Sequence, residues 1–148
     1  MMRHLIRTAG VVTLLAVPLN AQSTPTLRAR LSPVPLDVAM QATIAGLGDA
    51  TASLAGATLT VKGTYGGLKS PATAARVHQS PNRGMRGPAV GDLTVSGGVA
   101  GTIAGGVTLT DAQADAFRKG LLYVQVHSEK APDGNLWGWL LPAAETRR

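Results

Sequence analysis

Leu121-Leu122-Tyr123-Val124-Gln125-Val126-His127 alternates apolar with larger polar or aromatic side chains, and after Pro132-Asp133-Gly134 the rhythm resumes in Asn135-Leu136-Trp137-Gly138-Trp139-Leu140-Leu141. A period of two sends successive side chains to opposite faces of a pleated strand. The spacing predicts two antiparallel strands, Leu121 to His127 and Asn135 to Leu141, joined by a turn at Pro132-Asp133-Gly134. Tyr123, Gln125 and His127 then share one face, opposite Val124 and Val126. With Leu136, Gly138 and Leu140 packed inward beside those valines, Trp137 and Trp139 stand outward next to Gln125 and His127.

The same habit runs upstream. Leu27, Ala29 and Leu31 alternate with Arg28 and Arg30, and Leu36, Val38, Met40 and Ala42 alternate with Asp37, Ala39 and Gln41. Ala57 to Tyr65 continues it through Leu59, Val61, Gly63 and Tyr65. Gly and Pro punctuate the gaps, which is the mark of short antiparallel strands in a sandwich or barrel with one face buried. One segment breaks the pattern: Thr110 to Gly120 has a hydroxyl cap, Gln113 three residues on, an acid in its first turn, Arg118 and Lys119 in its last and a closing glycine. It reads as a short capped helix with Phe117 and an alanine face resting on the sheet.

The first residues read as an address. Arg3, His4 and Arg7 precede the apolar run Ala9 to Leu19, which falls short of the about 20 residues a membrane span needs and contains Pro18. A cleaved signal peptide, residues 1–21, is the expectation, giving an exported protein in the periplasm or outside the cell with no transmembrane segment after cleavage. Residues 22–33 are then a polar leader and first edge segment, and residues 143–148 a polar tail. The chain of 148 residues lacks cysteine, so the fold is not stapled by disulfides. Its net charge of +6 is spread along the sequence and aromatic residues make up 3 %. Nucleic-acid binders cluster their basic residues and interleave them with stacking aromatics, so nucleic acid is not an expected partner.

The two carboxyl-terminal strands resemble the end of the CHRD domain, whose family pattern there is approximately G-x-x-Y-V-N-V-H-T followed by P-x-G-E-I-R-G-Q-L. Gly120, Tyr123, Val124, Val126 and His127 fit the first part, and Pro132, Gly134, Gly138 and Leu140 fit the second. Upstream, Ala75-Arg76-Val77-His78 with Gly84 and Gly87 is similar to the family's A-H-I-H and its trailing glycines. The resemblance covers about residues 34–142. It implies an all-β, immunoglobulin-like antiparallel sandwich or barrel faintly similar to copper-zinc superoxide dismutases, with one short helix. It implies no settled activity, and the growth-factor inhibition of chordin belongs to a much larger animal protein.

The residues that could carry chemistry are Arg76, His78, Gln125, His127, Trp137 and Trp139, all expected on the outer face. His78 and His127 suit copper or zinc, because imidazole is a ligand for both. Arg76 stands where a His-x-His pair would have its first imidazole, and arginine stays protonated and does not ligate. The alternative is that both histidines hydrogen-bond loop backbone and hold loops to the sheet. Trp137 and Trp139 read either as an apolar platform for a sugar, a peptide or a second copy, or as cover for the sheet beneath a loop. Serines without a nucleophile elbow, scattered acids and glycines that do not precede a helix offer no catalytic or phosphate-binding pattern. The expected function is a non-catalytic binding or scaffolding domain, without cofactor, for a protein or extracellular polymer. Copper or zinc binding of a dismutase-like kind and self-association through an edge strand are the competing readings.

Overall fold

The computed structural model describes residues 24–143, and the expected signal peptide and most of the polar tail lie outside them. Eight antiparallel strands close into one barrel in the order β1-β2-β3-β6-β5-β4-β7-β8. They are β1 (Thr26–Pro33), β2 (Leu47–Ala55), β3 (Thr58–Gly66), β4 (Ala72–Gln79), β5 (Ala89–Val95), β6 (Gly101–Thr108), β7 (Leu122–Ser128) and β8 (Ala131–Trp139). One helix, α1 (Asp111–Arg118), connects β6 to β7. The expected all-β architecture with one short helix is therefore present, and its sheet is a closed barrel.

Alternation builds the interior. Leu27, Ala29 and Leu31 of β1, Leu59 and Val61 of β3, Ala75 and Val77 of β4, and Val124 and Val126 of β7 are all buried in one cluster with Leu136 and Leu140. Each strand gives every second side chain to this cluster, as a barrel wall requires. Small aliphatics suffice because opposite walls lie close. Helix α1 begins as expected: Thr110 Oγ1 accepts from the Gln113 amide at 3.2 Å while Gln113 Oε1 accepts from the Thr110 amide at 2.9 Å. Phe117, wholly buried, anchors the helix to the core.

Three expectations need correction. Leu36 to Ala42 is not a strand: Ala39–Ala42 is a single 3-10 turn. Its hydrogen bonds are local: Asp37 Oδ1 accepts the Met40 amide at 2.9 Å, and the Met40 carbonyl accepts the amides of Thr43 and Ile44. Val38 is 84 % exposed, so the alternation there does not mark a core face. The hairpin between β7 and β8 turns at Glu129 and Lys130, pairing Ser128 with Ala131. Pro132 to Asn135 then bulge within β8 between the Ser128–Ala131 and Val126–Leu136 pairs. Finally β1, expected as an edge segment, is paired with β2 from Thr26↔Ser53 to Leu31↔Gly48 and with β8 at Ser32↔Trp137 and Pro33↔Leu136. Closure gives every strand a neighbour on both sides among the described residues, with short seams at β5–β6 and β1–β8.

Candidate functional site

Three neighbouring strands set the site. On the outer face, register aligns His78 with Tyr123 and Arg76 with Gln125 between β4 and β7. It aligns Tyr123 with Trp139 and Gln125 with Trp137 between β7 and β8. His127 lies opposite Ala74, two rows from His78, yet the two imidazole centres are 6.4 Å apart. Strand residues four apart are separated by about 13 Å along the chain direction, so the two rings lean toward one another across the Arg76–Gln125 row.

This outer face is covered, as the cover reading of the two tryptophans has it. All seven residues of β7 are buried. Val34, Met40 and Ile44 of the segment that precedes β2 form a second small core with Tyr123, Ala131, Trp137 and Trp139. Trp137 is 9 % exposed, and its ring meets Trp139 edge-on, at 4.7 Å and 68°. The indoles are thus an interlocked pair beneath a strap, and no flat platform exists. The physical reason is area: two indoles side by side carry too much apolar surface to leave in water.

The loop between β4 and β5 closes the other side. Gly87 is its clamp: its carbonyl accepts from His78 Nδ1 at 2.9 Å and from Tyr123 Oη at 3.3 Å, while its amide donates to Tyr123 Oη at 3.1 Å. A side chain at Gly87 would collide with the Gln79 carbonyl. Arg86 latches the loop to the β8 bulge, donating from Nη1 to the Asp133 carbonyl at 2.9 Å with its guanidinium 5.7 Å from the Trp137 ring centre. Ser80 Oγ donates within the same loop to the carbonyls of Asn82 and Met85.

Both imidazoles are therefore oriented the same way. His78 stacks on Tyr123 at 4.9 Å and 13°, and His127 Nδ1 bonds the Pro132 carbonyl of the bulge at 2.9 Å. A carbonyl only accepts, so Nδ1 carries the hydrogen in each ring and Nε2 of the neutral form carries the lone pair. Both Nε2 atoms are buried without a hydrogen-bond partner, and so is Gln125 Oε1. Gln125 is fixed through its amide nitrogen, which donates to the Asp133 carbonyl at 3.1 Å. Both histidines have lowered pKa values. Burial is the main cause for each, opposed by the backbone hydrogen bond, with Arg76 and Arg86 adding positive charge nearby.

The named residues divide accordingly. His78, Gln125 and His127 supply buried acceptors over one small region. Arg76 turns aside to pair with Asp92 at 2.9 Å on β5. Trp137 and Trp139 wall the site. Tyr123, Arg86, Gly87 and Asp133 are positioning residues absent from the sequence-derived site; Tyr123 shares the face of Gln125 by simple alternation, but loop contacts leave no periodic trace. No group of three or more His, Cys, Asp or Glu side chains able to hold a metal occurs among the described residues.

A small closed β-barrel whose chemistry sits under loops on the outside of three strands is the class that fold and site define. The family model for the CHRD domain matches residues 27–140, and the chain belongs to that family. Comparison with curated proteins and with solved structures gives no match. Among the described residues no helix is long and apolar enough to cross a membrane.

Proposed function

We propose that this CHRD domain is an exported, non-catalytic binding domain whose ligand is a copper or zinc ion held by His78 and His127. Burial of Gln125, His127 and Trp137 moves the reading from a broad contact face to a small enclosed one. The observation that carries it is the pair of fixed imidazoles, each donating through Nδ1 to a backbone carbonyl and presenting a buried, unpartnered Nε2. Such a carbonyl partner is the usual support of a metal-ligating histidine, because it selects the tautomer and aims the lone pair. Depressed basicity keeps both rings neutral, which is the form that ligates.

The same hydrogen bonds also tie the loops to the barrel, so they serve cover and site together. What favours a ligand over cover alone is the second nitrogen: a merely structural histidine gains nothing from a buried Nε2 without a partner, which costs about 1–3 kcal/mol. The experiment is metal analysis of the mature protein purified from the periplasm, wild type beside His78→Ala and His127→Ala. Stoichiometric copper or zinc lost in both variants supports the proposal; wild type that carries and accepts neither metal overturns it.

A further inference from the structure

Resting on that metal-binding reading, we infer that the ion this site selects is monovalent copper, held in near-linear fashion between His78 Nε2 and His127 Nε2. The spacing of the rings admits it, and ligand number and charge carry it. Metal–nitrogen bonds are about 2 Å, and an imidazole centre lies about 1.1 Å behind its Nε2, so rings opposed across one ion have centres about 6 Å apart, against about 5 Å at a tetrahedral angle. The observed separation of the ring centres, 6.4 Å, leaves room for that span.

Ligand number and charge agree. Zinc and divalent copper ordinarily take three or four protein ligands or water, and no third His, Cys, Asp or Glu joins the two imidazoles among the described residues. A further buried acceptor on this face, the amide oxygen of Gln125, is neutral. With neutral ligands, a cation keeps its full charge in a buried setting. The cost of burying an ion grows with the square of its charge, so a dication costs about four times what a monocation does. Arg76 and Arg86 add repulsion, because both bear on the two histidines. A monovalent ion with a filled d shell accepts two ligands and suffers half the repulsion.

The test titrates the mature protein anaerobically with Cu(I) in competition with bicinchoninate, with Ag(I) as a redox-inert surrogate, and with Zn(II). Expected is one equivalent of Cu(I) and of Ag(I), each bound at least about a hundredfold more tightly than Zn(II), and at least about a hundredfold weaker binding in His78→Gln and His127→Gln. Zn(II) binding as tightly as Cu(I) overturns the monovalent inference and leaves the metal-binding reading intact. Failure to bind any of the three overturns both. X-ray absorption of the wild-type Cu(I) complex needs no variant: two nitrogen neighbours support the inference, and a shell of three or four overturns it.

Discussion

Gly87 carries three contacts through a backbone that only glycine can place, since a Cβ there would meet the Gln79 carbonyl. Gly87→Ala is expected to destabilise the fold by about 1–3 kcal/mol, read as a lower urea midpoint with unchanged slope, and to free Tyr123 and His78 from the loop. Gly134, at φ 129°, is similarly confined against the Gln125 side chain. The histidines make a second prediction. Their folded pKa values lie below the ordinary 6.5 because burial disfavours the charged ring, so between the folded and unfolded pKa values the unfolded chain binds more protons. Stability is therefore full above about pH 7.5 and falls as pH drops through about 6.5, by at most about 1.4 kcal/mol per pH unit for each histidine. Urea midpoints measured from pH 8 to pH 5 check the sign, and His78→Gln should flatten the slope.

Strand alternation made β1, β3, β7 and the inner half of β8 legible in the sequence, because each gives one face to the core. It failed at Leu36 to Ala42, where the pattern is the same but local hydrogen bonds at Asp37 and Met40 turn the chain and the apolar side chains mostly face solvent. It placed Trp137 and Trp139 on the correct face but could not show what covers them, since the strap and the Arg86–Asp133 latch are contacts between distant segments. The convergence of His78 and His127 was legible only as a shared face; that their rings lean together depends on the Gly87 and Pro132 carbonyls. The capped helix was the most readable element, because its signals are local. Thr110→Ala removes the oxygen that caps the Gln113 amide and should cost about 1 kcal/mol by urea denaturation, with the His78–His127 pair undisturbed.

At the scale of the whole barrel, closure is uneven. β2 and β3 pair without interruption from Leu47↔Gly66 to Ala55↔Thr58, whereas β5 meets β6 only at Thr94↔Ala104 and Val95↔Ile103. Hydrogen exchange is expected to open the β5–β6 seam at lower free energy than β2–β3; equal protection across both would mean the barrel opens as one unit. The site lies where β4 and β7 pair from Ala72↔Ser128 to Gln79↔Leu122, away from that seam, so its geometry should survive such opening. That geometry is tested most directly by long-range nitrogen–proton NMR of the two imidazoles at pH 7.5. Both rings should show a protonated Nδ1 and a bare Nε2, with the Nε2 signals alone moving strongly on addition of Cu(I). Hydrogen on Nε2 in either ring, or rings exchanging freely between tautomers, would contradict a pair of lone pairs held ready for an ion.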